Sequence, residues 1–298
     1  MIERLCIIGV GLIGGSLARA LRDAGACQEV VGAGRNVGNL QTAVELDVID
    51  RYETDLAQAV SGADMVVVCV PLGAMEGVFR AIKGQLAERA VLTDVGSAKG
   101  SVIEAAQRAF GSVPEFFVPG HPIAGTEQSG VEASFPGLYK DRRVILTPLP
   151  DTNAHATGRV RDMWEVAGAR IVSMNPVHHD SVLAATSHLP HLLAYSLVDN
   201  LARQSSHDDI FRFAAGGFRD FTRIASSDPT MWHDIMLSNQ SALLEVIDSY
   251  TDHLAGLRQL IADGDGVRIK ALFADAKAAR DRFAEQLSQR GLSVQGEE

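Results

Sequence analysis

The sequence has few cysteines, few basic residues and no long apolar run. Its three cysteines are an odd number, and Cys6 and Cys69 lie in strand-like apolar runs. We expect buried thiols of a reducing compartment, the cytoplasm. No stretch approaches the ~20 consecutive apolar residues that span a bilayer. A strand-like run begins at Leu5, so we expect no export signal before it. Lys and Arg number 27 against 37 Asp and Glu, and this net charge of −10 argues against a nucleic-acid partner.

Short β-rich runs alternate with helical patterns as far as about residue 175. Most runs are solid Val, Ile, Leu and Phe, as in parallel strands covered on both faces. This alternation predicts an α/β, doubly wound dinucleotide-binding domain of the Rossmann type over residues 1–175. The predicted strands are Arg4–Gly9, Glu29–Gly34, Met65–Val70, Val91–Val95, Phe116–Pro119, Val144–Thr147 and Arg170–Ser173. The predicted helices between them are Leu12–Ala24, Met75–Leu86, Ser101–Phe110 and Thr157–Ala167.

From residue 176 onward the sequence is typical of helix alone, and we expect an all-α substrate and dimerisation domain over residues 176–298. Asp228 followed by Pro229 is a strong helix start. Apolar residues then recur at helical spacing, which predicts one helix that ends near Asp263. So long and apolar a helix is hard to bury within a domain of about 120 residues. We therefore expect a homodimer.

A glycine-rich turn, Gly9-Val10-Gly11-Leu12-Ile13-Gly14, joins the first strand to the first helix. In this context the spacing predicts a pyrophosphate site at the helix N-terminus. Gly9 permits the tight turn, Gly11 lets the backbone approach the ligand, and Gly14 lets helix and strand pack closely. The cofactor is then NAD or NADP. The predicted cofactor-binding residues are Gly9, Gly11, Leu12, Ile13, Gly14, Arg35, Val70 and Pro71.

The position that usually distinguishes NAD from NADP is occupied by glycine. An NAD-preferring fold has an acid about 20 residues after the turn, bonded to the ribose 2′-hydroxyl. Gly34 stands there, followed by Arg35, which can pair with a 2′-phosphate. The sequence favours NADP or the use of both cofactors. The alternative, a solvated Arg35 with NAD bound, stays open.

Two polar motifs follow neighbouring predicted strands. Gly120-His121-Pro122-Ile123 ends one strand, and Asp94-Val95-Gly96-Ser97 ends the one before it. Ligands of open α/β sheets bind beyond the carboxyl ends of the strands. A histidine and a serine at that edge suit a general base and a hydroxyl that orients the substrate. A lone histidine is more often structural, but the position of His121 between two such motifs favours function.

The helical part contains Ser187-His188-Leu189-Pro190-His191 and, farther on, two arginines. The H-x-x-H spacing, with His178, His179 and Asp180 nearby, suggests a metal site as one interpretation. Pro190 distorts the helix, however, and no carboxylate or thiolate completes a convincing ligand set, so we expect no metal. Of the arginines, Arg223 is the better candidate to grip a substrate carboxylate. Arg219 is more typical of a surface salt bridge.

Taken together, GHPIAGTE, DVGSAKG, SHLPH and GFRDFTRIASSDPTMW resemble the prephenate/arogenate (cyclohexadienyl) dehydrogenases over almost the whole chain. The resemblance implies oxidative decarboxylation of prephenate, and possibly arogenate, with hydride transfer to NAD(P). The product is 4-hydroxyphenylpyruvate or tyrosine, together with CO₂. Some relatives carry a chorismate mutase domain or a C-terminal regulatory domain, and neither is recognisable here.

The resemblance also implies roles for individual residues. His121 bonds the ring hydroxyl and assists hydride transfer, Ser97 contacts hydroxyl and nicotinamide, His191 lies in the substrate pocket, and Arg223 binds a carboxylate. Residues expected to bind substrate around the pocket are Thr126, Glu127, Gln128 and His188. Arogenate carries an ammonium that would favour a further carboxylate, so the neutral Gln128 inclines the prediction toward prephenate.

Two other functions are compatible with the same architecture. A hydroxyacid dehydrogenase or imine reductase shares the plan, and fold analogy does not exclude it. Such hydroxyacid enzymes rely on a lysine early in the second domain, whereas no lysine occurs from Val144 to Arg268. A non-catalytic NADP-sensing module is the second alternative. It has no use for the proton acceptor that His121 provides.

Overall fold

A parallel sheet forms the first part of the chain in the computed structural model, which describes residues 1–126, 128–205 and 207–289. Its strands are β1 Ile2–Ile8, β2 Cys27–Ala33, β3 Arg51–Glu53, β4 Met65–Val68, β5 Val91–Asp94 and β6 Phe117–Val118. They lie in the spatial order β3-β2-β1-β4-β5-β6, and every neighbouring pair is parallel. This is the order of a doubly wound dinucleotide-binding sheet, and it confirms the predicted fold class.

Both faces of this sheet are covered, which explains the solid apolar runs. Successive side chains of a strand point to opposite faces. In β1, Leu5 and Ile7 belong to one buried cluster, whereas Cys6 and Ile8 belong to another. The helices that cover the sheet are α1 Leu12–Asp23, α2 Val37–Glu45, α3 Leu56–Val60, α4 Met75–Ile82, α5 Lys99–Phe110 and α6 Ala154–Val166.

A second, three-stranded sheet holds two of the strands predicted for the parallel sheet. Its strands are β7 Gly120–Ile123, β8 Arg143–Leu146 and β9 Arg170–Ser173. β7 runs antiparallel to β8, and β8 runs parallel to β9. His121 therefore lies inside a strand, opposite Ile145, and not beyond the end of one as predicted. Pro119, which has no N–H to donate, separates β6 from β7, where the chain leaves the first sheet.

The helical part of the chain begins at Asn175, whose side chain accepts a hydrogen bond from the Val177 N–H. Its helices are α7 Pro176–Leu183, α8 Leu189–Ala202, α9 His207–Arg212, α10 Gly216–Thr222, α11 Pro229–Ser238, α12 Gln240–Ala262 and α13 Gly266–Gln289. A turn of π-helix, Ala184–His188, joins α7 to α8. Pro190 follows it at the start of α8, where it has no N–H to offer an i−4 carbonyl.

The single helix predicted from Asp228 to Asp263 is wrong. Asp228 does cap α11, since its carboxylate accepts from the Thr230 and Met231 N–H groups. The helix nevertheless ends at Asn239, where the backbone leaves helical geometry, and α12 begins at the next residue. Asn239 is buried, and its side chain donates to the Asp180 carbonyl. That tertiary hydrogen bond accompanies the break.

Backbone contacts divide the chain into two compact units, Met1–Leu243 and the part from Leu244 onward. All residues of the candidate site described below belong to the first unit. A domain boundary near residue 175 stays a prediction. Among the described residues, no helix is both long enough and apolar enough to cross a membrane.

Candidate active site

The glycine-rich turn has the geometry that its three glycines predict. Gly9 has a φ of +99°, and a Cβ there would lie 2.4 Å from the Cys69 carbonyl oxygen. A Cβ on Gly14 would lie 2.7 Å from the Gly9 oxygen. A Cβ on Gly11, in contrast, would meet no protein atom within 4 Å. The turn thus packs tightly at its two ends and leaves open space beside Gly11, where a pyrophosphate can approach the backbone.

A cleft of about 540 Å³ opens from this turn, and the residues that line it are Gly9, Val10, Gly11, Ala33, Gly34, Arg35, Asn36, Asn39, Leu40 and Cys69. Arg35 is exposed at its rim. A Cβ on Gly34 would meet only the Leu40 Cδ2 atom, at 3.9 Å. The Asn39 side chain donates to the Val10 carbonyl at 2.7 Å, which joins α2 to the turn. The cleft fits a dinucleotide at the carboxyl end of the first sheet.

The other predicted cofactor residues lie close to the turn. Leu12, Ile13 and Gly14 form the first turn of α1. Val70 follows β4, and its side chain lies 3.2 Å from the position of a Cβ on Gly9. Pro71 is exposed and starts a short 3₁₀ turn, Leu72–Ala74.

His121 is the end member of a buried hydrogen-bonded chain. Its Nδ1 lies 2.8 Å from the His179 Nε2, and the His179 Nδ1 lies 2.7 Å from the Asp180 Oδ1. His121 is 8% exposed and His179 is fully buried. Burial holds the pKa of His121 well below its ordinary value of 6.5, and the positive charge of nearby Lys99 acts in the same direction. His121 is therefore a neutral base at neutral pH.

The Asp180 carboxylate anchors this series of hydrogen bonds to the start of α5 in the first domain. It accepts from the backbone N–H groups of Lys99 at 2.7 Å and Gly100 at 2.8 Å, the first two residues of α5. Burial by itself would raise the pKa of Asp180, but the hydrogen bonds from His179 and from these two backbone groups lower it below its usual range. Asp180 is therefore an ionised acceptor that lies at the positive end of a helix.

A buried ion pair joins the segment that follows β5 to strand β7. The Lys99 Nζ donates to the Asp94 Oδ2 at 2.5 Å and to the Gly120 carbonyl at 2.6 Å, and Asp94 accepts from the Gly120 N–H at 3.1 Å. Both charged side chains are fully buried. Because Gly120 precedes His121, these bonds bring the loop that carries Ser97 to the strand that carries His121. Ser97 itself is half-buried.

The two histidines of the H-x-x-H motif have different surroundings. The His191 ring stacks on Trp232 with 3.6 Å between centroids, and its Nδ1 lies 2.9 Å from the Ser187 carbonyl. His188 is 1% exposed, and its Nδ1 lies 3.1 Å from the Asn239 Nδ2. Burial lowers the pKa of His188 to about 4. His191 is thus the more accessible ring. Within the described part of the chain, no group of three or more His, Cys, Asp or Glu side chains is arranged to hold a metal.

The arginines and the loop after β7 are exposed. Arg219 forms the surface ion pair that the sequence predicts, with Asp220 at 3.2 Å. Arg223 starts a 3₁₀ turn, Arg223–Ser226, and the Tyr195 hydroxyl donates to the next carbonyl, that of Ser227, at 2.6 Å. That bond ties the turn to α8, the helix of His191.

The predicted substrate residues after β7 lie on an exposed loop. The Gln128 N–H donates to the Thr126 hydroxyl at 3.2 Å. Both side chains are exposed. Glu127, predicted at the mouth of the pocket, lies outside the described residues.

Sequence reasoning missed three residues that organise the site. The sequence suggests His179 and Asp180 only as possible metal ligands. The hydrogen bond that links His179 to His121 joins residues 58 positions apart, which no local pattern shows. Asn239 was absorbed into the predicted long helix. A signal existed in each case: an Asn inside an apolar helical face, and an adjacent His-Asp pair at the start of the helical part.

Comparisons with known proteins cover both parts of the chain. The prephenate dehydrogenase nucleotide-binding domain matches residues 17–173, and the prephenate dehydrogenase dimerization domain matches residues 175–275. Cyclohexadienyl dehydrogenase of Zymomonas mobilis is 41% identical over 283 residues, which cover 93% of this chain and 95% of that protein. Prephenate dehydrogenase of Bacillus subtilis is 34% identical over 287 residues, or 94% and 76% of the two chains.

A solved structure agrees with these matches. Prephenate dehydrogenase from Aquifex aeolicus, in complex with hydroxyphenyl propionate and NAD⁺, superposes with a TM-score of 0.88 at 35% identity, over 95% of this chain and 99% of that one. The protein is thus a nicotinamide-dependent dehydrogenase that oxidatively decarboxylates a cyclohexadienyl acid, prephenate or arogenate, in tyrosine biosynthesis. The chain belongs to the prephenate dehydrogenase family.

Proposed function

We propose that this enzyme oxidises prephenate to 4-hydroxyphenylpyruvate, with His121 as the base at the ring hydroxyl. The observation that carries the assignment is the buried chain from Asp180 through His179 to His121. Within the described part of the chain, no hydrogen bond uses the His121 Nε2. The neutral Gln128 supports prephenate over arogenate, whose ammonium favours a carboxylate. Steady-state rates with the two substrates test this choice, and a higher kcat/KM for arogenate would reverse it.

The chemistry needs few groups from the protein. A bound nicotinamide dinucleotide accepts the hydride from the ring carbon that bears the hydroxyl. His121 Nε2 takes the hydroxyl proton as that hydride leaves. The carboxylate on the opposite ring carbon then departs as CO₂, and the electron pair of the broken C–C bond makes the ring aromatic. His121 returns its proton to the phenolate oxygen. The chain therefore orients the ring, supplies one base and binds the carboxylates.

Ser97 and His191 complete the proposed catalytic set. Ser97 lies in the loop that the Lys99–Asp94 pair holds against the His121 strand, where its hydroxyl orients the substrate hydroxyl. The Ser187 carbonyl can only accept, so the His191 Nδ1 carries a hydrogen and its Nε2 is left as an acceptor. His191 is thereby proposed to bind within the substrate pocket. His188, also expected from the sequence to bind substrate, is buried and packs edge-on against Trp232, the ring on which His191 stacks, with 6.2 Å between ring centroids.

Arg223 is proposed to bind a substrate carboxylate, with Thr126, Gln128 and Glu127 at the pocket mouth. The 3₁₀ turn of Arg223 is tied to the helix of His191 through the Tyr195 hydroxyl, and Arg219 lies outside that turn. Both arginines are exposed, so Arg219→Ala is a matched control for Arg223→Ala. A rise in the KM for prephenate confined to Arg223→Ala supports the assignment. A rise confined to Arg219→Ala would reverse it.

Replacing His121 by Asn is predicted to lower kcat by about 10²–10⁴-fold, since it removes the proton acceptor. Dinucleotide affinity, measured by fluorescence titration, should stay near wild type. His155→Asn, at the exposed start of α6, is the control and should leave kcat unchanged.

The pH dependence of the wild type checks the same assignment. Because the base must be unprotonated, kcat/KM falls on acidification, with its midpoint below the ordinary histidine value of 6.5. Activity of His121→Asn within a few-fold of wild type, or a midpoint above that value, would contradict the role of His121.

The cofactor is proposed to be NADP or both dinucleotides. Arg35 lies at the cleft rim beside Gly34, where a carboxylate would repel a 2′-phosphate. A Cβ at Gly34 fits without a clash, so Gly34→Asp is a clean substitution. We predict that wild type uses NADP at least comparably to NAD and that Gly34→Asp moves the preference toward NAD. A charge-assisted hydrogen bond from Arg35 to the 2′-phosphate would contribute about 1.5–3 kcal/mol to NADP binding.

The measurement is kcat/KM for both cofactors in wild type, Gly34→Asp and Gly77→Asp. The last variant is the control, because it adds the same charge at an exposed glycine of α4 with open space around it. A wild-type preference for NAD of more than about tenfold, or ~1.4 kcal/mol, would exclude the proposed role of Arg35.

The chain is also proposed to form a homodimer through its helical part. Only Leu243 of α12 is buried, although this helix carries many apolar residues. Its exposed apolar side chains include Leu244, Leu254 and Ile261, and those of α13 include Val267, Phe273 and Phe283. Burial against a second copy would remove this surface from water. Sedimentation should give about twice the chain mass of 31.8 kDa, and a monomer at micromolar concentration would rule the dimer out.

A further inference from the structure

Two buried titratable residues have no part in the reaction as written above. His179 is fully buried and Asp180 nearly so, both on α7, at the beginning of the helical part. Burying a charge costs free energy unless it is paired and hydrogen-bonded. Asp180 meets that condition through three N–H donors, of which one belongs to His179. The buried pair is therefore fully hydrogen-bonded, and each of its hydrogen bonds has a definite direction from donor to acceptor.

That direction follows from which atoms can donate. A carboxylate only accepts, so the hydrogen between Asp180 and His179 belongs to the His179 Nδ1. Neutral imidazole carries one N–H, so the His179 Nε2 is an acceptor. The contact of 2.8 Å between the rings is then a hydrogen bond from the His121 Nδ1 to the His179 Nε2. The only nitrogen of neutral His121 that retains a lone pair is Nε2.

We propose that His179 and Asp180 are positioning residues that hold His121 in the Nδ1–H tautomer and stabilise its imidazolium during turnover. The proposal rests on the role of His121 as the base. When His121 takes the proton, its Nδ1–H still donates to His179, and the positive charge faces Asp180 across that ring. Neither residue needs to touch the substrate.

The charged surroundings of His121 make this support necessary. Titratable groups near it come from three segments: Lys99 and Asp94 from the β5–α5 region, His179 and Asp180 from α7, and His188 from the π-turn. Lys99 is a buried cation paired with Asp94, and it disfavours a second positive charge on His121. Asp180 is the carboxylate in line with the two rings, so it is the group that offsets the new charge.

Two substitutions of His179 test separately the hydrogen bonds made by its two ring nitrogens. A Gln amide reaches about as far as the histidine Nε2, so His179→Gln keeps an acceptor for the His121 Nδ1–H. An Asn amide reaches about as far as Nδ1, so His179→Asn keeps the bond to Asp180 and loses that acceptor. We predict that His179→Asn lowers kcat by about 10²-fold or more, while His179→Gln stays within about tenfold of wild type. The KM for prephenate should change little in either.

The pH profile gives a second reading. Without an acceptor for its Nδ1–H, the His121 imidazolium is less stable, so the acid limb of kcat/KM should move to lower pH in His179→Asn and less in His179→Gln. Equal losses in both variants, with unshifted acid limbs, would mean that His179 acts only by packing and would overturn the proposal. So would wild-type rates in both.

A measurement on the wild-type protein avoids any question of folding. Nitrogen-15 NMR of His121 at neutral pH should show a protonated Nδ1 and an unprotonated Nε2. The opposite tautomer overturns the proposal. The outcome is distinct from failure of the proposed function, because an active His121→Asn variant would remove His121 as the base whatever its tautomer.

Discussion

The active site depends on the hydrogen bonds that the Asp180 carboxylate accepts. It accepts two backbone N–H groups from the first turn of α5 and one ring N–H from His179. The first two bonds attach the start of the helical part to the dinucleotide-binding domain. The third sets the direction of the hydrogen-bonded chain that ends at His121. The ionised Asp180 carboxylate thus joins two parts of the fold and, through His179, orients the neutral His121. Among the described residues, none forms a hydrogen bond with the His121 Nε2.

A buried ion pair that joins the segment after β5 to strand β7 holds the next part of the site together. The Lys99–Asp94 ion pair binds both polar atoms of the Gly120 backbone, so the β5 loop and the β7 strand form one rigid edge. A buried pair of this kind need not add much net stability, but removal of one partner is costly. Its contribution here is position: it fixes the loop that carries Ser97 to strand β7, which carries His121. The glycine-rich turn leaves its open space at the carboxyl edge of the first sheet.

Local signals in the sequence predict much of this architecture. The solid apolar strands, the glycine spacing and the Asp228-Pro229 helix start each depend on residues near in sequence, and the structure has all three. Long-range hydrogen bonds explain the differences. Asn239, at the end of α11, donates its side-chain N–H to the Asp180 carbonyl, 59 residues away. Periodicity cannot show such a partner.

The same limit applies to the catalytic region. His121 is recognisable as a candidate from its motif, but its place inside the second sheet depends on pairing with β8, which follows a loop of about 20 residues. The short strands β3 and β7 carry too few residues to show a period. His179 and Asp180 look like metal ligands when read in sequence, because only the folded chain shows that an imidazole ring lies beside them.

Loss of a hydride from the ring and loss of CO₂ belong to one reaction on this enzyme. The direct measurement is the stoichiometry of reduced dinucleotide, CO₂ and 4-hydroxyphenylpyruvate formed from prephenate by the purified protein. We expect equal amounts of all three for each substrate molecule consumed. Reduced dinucleotide formed without CO₂, as a hydroxyacid dehydrogenase would produce it, would show that the two losses do not belong to one reaction.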